Sequence, residues 1–123
     1  MAIYVADTYA WMAYFDKSEA YRDLIEKNII KTPALVFSEL SRTLKRRGLE
    51  DYEIDKLFEF MEKHSLILDF DLKLGIMAGK LSDSDKLPLM DSILYRYASS
   101  EAPFLTGDEH FRGKPNVHFV KEK

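Results

Sequence analysis

Two aspartates in this chain close short apolar runs: Asp7 follows "IYVA" and Asp108 follows "FLTG". Two further acids border helical apolar stripes. Glu39 lies in "VFSELSR" beside Val36, Leu40 and Thr43, and Asp91 lies in "LPLMDSILYRYA", one turn before Leu94 and two before Ala98. A carboxylate at the edge of an apolar stripe risks desolvation, which costs roughly several kcal/mol when uncompensated. A lysine, an arginine or a metal must then be near. Ordinary roles also exist for each acid. Asp7 and Asp108 can cap the segments that follow them, Asp91 gains from its helix dipole, and Glu39 can face solvent. With 21 acidic residues in the chain, placement and not presence does the selecting. Four carboxylates converging on one cleft repel one another unless a cation offsets them. Such hard oxygen ligands suit Mg2+ or Mn2+. A cation held there acidifies water and offsets the charge growing on a phosphodiester. The set therefore points to phosphoryl chemistry more than to zinc hydrolysis.

The composition narrows the choice further. There is no cysteine, which excludes disulfides, thiolate nucleophiles and cysteine zinc sites. His64, His110 and His118 are scattered without metal-ligand spacing and read as surface or packing residues. The net charge of −3 excludes a global basic field for nonspecific nucleic-acid binding, although a metal can supply positive charge locally. No apolar run approaches a membrane span, and the N-terminus lacks the pattern of a signal peptide, so a cytoplasmic location is expected. Glutamine is absent, and many lysines and glutamates hint at a thermophilic source.

The elements that must position the acids follow from periodicity. Ile3 to Ala6 reads as a buried strand and Thr8 to Phe15 as a helix with Trp11 and Phe15 on one face. A helix over 20–28 comes next. "NIIKTP" is a strand leading into a helix, with Thr32 as N-cap, Pro33 at the first helical position and Gly48 as the stop. A helix over 50–63 carries Ile54, Leu57, Phe58 and Met61 inward, and "SLILDF" is a strand. A helix over 72–81 points Leu74, Met77, Ala78 and Leu81 inward. "SDSDKLP" reads as a loop, 88–99 as a helix, and "APFLT" and "NVHFV" as strands. Strands alternating with helices predict a parallel sheet covered on both faces, within a single domain over 1–123. Ligands of such sheets bind beyond the carboxyl ends of the strands, where strand order reverses. Asp7 and Asp108 both fall on that edge.

In this order and spacing the chain resembles a PIN domain. The resemblance rests on Asp7-Thr8 after the first strand, Ser38-Glu39 in a helix, Asp91 with Ile93 and Leu94 opening another helix, and Thr106-x-Asp108-x-x-Phe111. It spans the whole chain and is strongest to the single-domain ribonuclease toxins of VapBC-type toxin–antitoxin modules. One departure is the proline and methionine of "KLPLM" before Asp91, where family members often carry small residues. The resemblance implies a three-layer α/β/α sandwich around a mostly parallel five-stranded sheet, and a Mg2+- or Mn2+-dependent ribonuclease. It implies that Asp7, Asp91 and Asp108 hold the metal, that Glu39 completes the pocket, and that Thr106 hydrogen-bonds the pocket acids or a water. It also implies a homodimer and a small antitoxin partner.

Arg96 and Arg112 are the candidates for RNA phosphates, being expected nearer the acids than Lys45 to Arg47 of "RTLKRRG". "DTYAWMAYF" and Phe60 carry more apolar bulk than one short helix easily hides. They read as core, or as a groove for an antitoxin helix or a second copy. Two other functions compete with the nuclease. A receiver-like phosphorylation module would use Asp69, but lacks paired acids after the first strand and a lysine-proline step after the last. A catalytically inactive PIN-like scaffold would not need all four acids.

Overall fold

The computed structural model describes residues 1–122. The chain opens with β1 (Ile3–Ala6), α1 (Thr8–Phe15) and α2 (Glu19–Glu26), followed by β2 (Ile29–Pro33). Next come α3 (Ala34–Arg46), α4 (Asp51–His64) and β3 (Leu66–Leu68). It closes with α5 (Leu72–Asp85), α6 (Leu89–Tyr95), β4 (Phe104–Thr106), a 3-10 turn (Glu109–Phe111) and β5 (Val117–Phe119). The five strands form one sheet in the order β3-β2-β1-β4-β5, and every pair is parallel.

A parallel neighbour requires a crossover, and crossovers are right-handed. The sheet grows from β1 through β2 to β3 in one direction and then restarts at β4 on the other side of β1. That reversal places α1 to α4 on one face and α5 and α6 on the other. The helix contacts agree, with α1 on α2 and α3, α3 on α4, and α5 on α6. The order also separates this fold from a receiver, in which β1 lies between β2 and β3. Here β1 lies between β2 and β4, and Asp69 follows an edge strand.

The central strands are apolar because both faces are covered. Val5, Ala6, Ile30, Phe104 and Leu105 are buried, as are Trp11, Val36 and Leu40 from the helical layer. Trp11 and Phe15 do share a face, with ring centroids 5.8 Å apart. Of the α1 aromatics Trp11 is core, and Tyr9, Tyr14 and Phe15 are partly buried against it. The exposed apolar side chains cluster elsewhere, at Leu66, Ile67, Phe70, Leu72, Ile76 and Met77 along β3 and α5. Met77 was expected inward and is exposed; in α5 the buried residue is Ala78.

Three boundaries differ from expectation. Thr32 is not a helix cap but the last but one residue of β2, and α3 starts after Pro33. Its hydroxyl accepts the Trp11 indole N–H at 3.1 Å and donates to Ser65 Oγ at 3.0 Å, a tertiary demand that outweighs capping. The helix α5 runs on to Asp85 through the polar stretch read as a loop. It ends at Lys86 in the left-handed conformation (φ 56°), where Leu87 N–H returns to Ser82 C=O at 3.0 Å. That is the helix stop glycine usually provides, so no glycine signalled it. Finally, α6 ends at Tyr95, not 99. Arg96, Tyr97 and Ala98 donate to carbonyls three residues back, tightening the chain before it re-enters the sheet at β4.

The buried relay from Trp11 through Thr32 to Ser65 can be tested directly. Thr32→Val keeps the shape but removes the acceptor of a buried indole N–H. It should lower unfolding free energy by about 1–3 kcal/mol in urea titrations. No loss would mean that the indole finds another partner.

Candidate metal centre

The parallel register of β1 with β4, Ala6 beside Leu105, brings the residue after β1 level with Thr106. Asp7 occupies that place and is only 4% exposed. One carboxylate oxygen accepts Ala10 N–H at 2.9 Å, which caps α1, and the other accepts the Thr106 hydroxyl at 2.6 Å. Thr106 Oγ1 in turn accepts Asp108 N–H at 3.1 Å, so one hydroxyl ties the ends of β1 and β4 together. Burial pushes the Asp7 carboxyl up to about 7. The two hydrogen bonds oppose this shift, and the charges of Asp108 and Asp91 add to it.

Asp108 caps the following 3-10 turn by accepting His110 N–H at 3.0 Å. Behind it Phe111 is buried, its ring 4.8 Å from that of Phe104. The φ of Gly107 is not positive, so it makes no left-handed turn. Its role is close approach: a Cβ there would lie 2.3 Å from Val120 C=O and 2.4 Å from the Tyr9 ring. The segment after β5 is strapped down beside it, with Tyr21 Oη donating to Val120 C=O at 2.6 Å and Tyr9 Oη to Glu122 C=O at 2.9 Å.

The other two acids arrive from opposite layers. Glu39, half-buried on α3, accepts the Thr8 hydroxyl at 2.5 Å. Burial raises its carboxyl, opposed by that bond, and the charges of Asp91 and Asp108 raise it further. Asp91 stands in the first turn of α6, which is pinned to α5 by Ser92 Oγ donating to Ala78 C=O at 2.8 Å. Burial raises Asp91 too, against the bond it accepts from His110. Pro88 in "KLPLM" serves as the N-cap residue of α6, where no side-chain cap is made.

His110 was read as a surface residue without metal-ligand spacing. It is indeed exposed, but it also meets two of the acids. Its Nδ1 lies 2.8 Å from Asp91 Oδ2 and 3.5 Å from Asp108 Oδ1. Ligand atoms of Asp91, Asp108 and His110 lie within 4.8 Å of one another. Linear spacing could not reveal this, because the two acids come from different elements; adjacency to Asp108 was the available signal.

Among the described residues, no lysine or arginine forms an ion pair with Asp7, Glu39, Asp91 or Asp108. Arg96 pairs with Asp85 on α5 and donates to Ser92 C=O, in a partly buried position. Arg112 forms two bonds to the Glu109 carboxylate, at 2.8 and 2.9 Å, and lies over the Phe119 ring. A set of mutually repelling, partly desolvated oxygens with one imidazole beside them fits a hard divalent cation.

A wholly parallel α/β/α sandwich with an acidic centre at its topological switch point defines the class. The PIN domain family model matches residues 4–116, and the chain belongs to that family. Among solved structures, a toxin–antitoxin complex from Klebsiella pneumoniae matches at TM-score 0.73 and 16% identity, covering 97% of this chain and 99% of that one. VapBC2 from Rickettsia felis, bound to a DNA fragment from its promoter, matches at TM-score 0.70 and 19% identity, covering 97% and 98%. A protein from Pyrobaculum aerophilum matches at 0.72 and 18%, covering 97% and 90%. No curated protein matches the chain by sequence.

Two outcomes follow from this geometry. The Asp7 carboxyl is raised from 3.8 to about 7, so the folded state binds more protons than the unfolded state between those values. Stability without metal should therefore fall as pH rises through that window and stay low above it. Asp7→Asn should raise the stability of the metal-free protein at pH 8 by roughly 2–4 kcal/mol and add little at pH 4. Melting in chelator checks this, and an equal effect at both values would refute it. Gly107→Ala must displace the backbone at Val120 and should cost about 1–3 kcal/mol or more in the same melts.

Proposed function

We propose that this chain is a divalent-metal-dependent endoribonuclease acting in the cytoplasm as the toxin of a type II toxin–antitoxin pair. The observation that carries the reading is the grouping of Asp91, Asp108 and His110 ligand atoms within 4.8 Å, with Asp7 and Glu39 close enough to feel the charges of Asp91 and Asp108 and no lysine or arginine among the described residues ion-paired to any of the four acids. Asp7, Asp91 and Asp108 would hold Mg2+ or Mn2+, and Glu39, oriented by Thr8, would close the acidic wall. When bound, such an ion supplies positive charge against the scissile phosphodiester and acidifies water. Thr106 keeps one Asp7 oxygen engaged and fixes the Asp108 loop at the same time. Asp7 must shed its proton to act as a ligand, so ion binding should strengthen as pH rises through about 7.

Arg112 is the better placed of the two arginines for an RNA phosphate. Its Glu109 pair is exposed, so exchange for phosphate costs little. Arg96 would have to leave a largely buried pair with Asp85. The named toxin–antitoxin neighbours support a small antitoxin partner, and the apolar strip on β3 and α5 offers surface for it or for a second copy. No helix among the described residues is long and apolar enough to cross a membrane.

Purified protein, freed of contaminating nuclease, should cut RNA with added Mg2+ or Mn2+ and not in chelator. Asp7→Asn and Asp108→Asn should each reduce cutting by at least about a hundredfold while circular dichroism stays unchanged. Cutting at the wild-type rate by both variants would overturn the assigned site.

A further inference from the structure

The four acids leave one contact of the centre without a role. His110 is held by its backbone, because its N–H is bonded to the Asp108 carboxylate that caps its turn. Its ring is half-exposed, so apolar packing does not set its direction. Yet Nδ1 points between two carboxylates from different elements, 2.8 Å from Asp91 Oδ2 on α6 and 3.5 Å from Asp108 Oδ1 after β4.

Those separations have a second meaning. Neighbouring ligands of an octahedral ion at about 2.1 Å lie about 3 Å apart, and opposite ones about 4.2 Å. The Asp91, Asp108 and His110 ligand atoms lie within 4.8 Å of one another, a little wider than the shell of a single ion. The imidazole therefore needs no large movement to face the ion that its neighbours would hold, only release of the Nδ1 proton it donates to Asp91, to solvent or as the Nε2 tautomer. We infer that His110 Nδ1 is a protein ligand of the ion held by Asp91 and Asp108, and that it biases the centre toward Mn2+ over Mg2+. The inference rests on the metal-site reading above. Its chemical basis is ligand softness: Mg2+ takes oxygen almost alone, whereas imidazole suits the borderline transition metals.

The test is direct ion binding by the intact protein, followed by calorimetry with Mn2+ and with Mg2+ for wild type, His110→Ala and Asp108→Asn. His110→Ala should weaken Mn2+ by about tenfold or more and leave Mg2+ within about twofold. Pulsed paramagnetic resonance of the Mn2+-loaded wild type should show coupling to a directly bound nitrogen, and His110→Ala should lose it. Absence of that coupling in wild type would overturn the inference. So would Mn2+ affinity that is unchanged or raised in the variant, since the ring would then only compete with the ion. Equal weakening of both ions would also overturn it, by making His110 a structural support. If Asp108→Asn leaves Mn2+ affinity intact, the metal-site assignment itself falls. If Asp108→Asn weakens binding and His110→Ala does not, only the histidine's role falls.

Discussion

The Asp7 carboxylate sits at the end of the central strand with one donor for each oxygen and no cationic partner. Desolvation without a partner is expensive, and here two neighbouring acids increase the cost. The groups around it are arranged to hold this carboxylate. Ala10 N–H binds it through the start of α1, and Thr106 binds it from the adjacent strand. The Thr106 bond requires β4 to be the parallel neighbour of β1, with Ala6 level with Leu105. That pairing is also what makes β1 and β4 the switch point, from which α3 and α6 can approach on opposite faces. The sheet order and the acidic centre are thus one constraint seen from two sides.

Capping and the proposed chemistry fall on the same side chains. Asp7 caps α1, Asp108 caps the 3-10 turn, and Asp91 stands in the first turn of α6. At a helix start the unpaired backbone N–H groups offer partial positive charge, which tolerates a carboxylate before any ion arrives. The local sequence can therefore fold around these acids without metal, although the centre is electrostatically unfavourable. A structural aspartate and a proposed metal ligand can thus be the same residue. For Asp7 the cap fixes one oxygen and Thr106 the other.

The Asp108 loop shows how distant parts of the chain control the same centre. Tyr9 and Tyr21, from α1 and α2, hold the backbone at 120–122, and this backbone passes so close to Gly107 that no side chain fits. Phe111 packs against Phe104 on the inner side. The loop is therefore clamped between a strap and the core, and Asp108 and His110 are presented from a rigid base. Lys121 joins this arrangement by pairing with Glu109 at 2.9 Å, which also binds Arg112.

Periodicity alone sufficed for the alternation of strands and helices, because burial on both sheet faces forces apolar strands and one-sided helices. The four acids stood out by their position after strands and beside apolar stripes, both local properties. Residues whose neighbours are remote in sequence were not readable in this way. Thr32 looked like a helix cap because its partner, Trp11, lies 21 positions away. Lys86 ended α5 where no glycine marked an end, since packing of α5 on α6 outweighs the modest cost of a left-handed lysine. Nothing in the local sequence marks Gly107 as the point where the backbone of Val120 presses close. His110 looked like a surface histidine because the chain distance to Asp91 conceals their contact. Local sequence thus determined which segments fold and which acids end them. Only the tertiary structure decided what those acids face, because charge and close contact act through space and not along the chain.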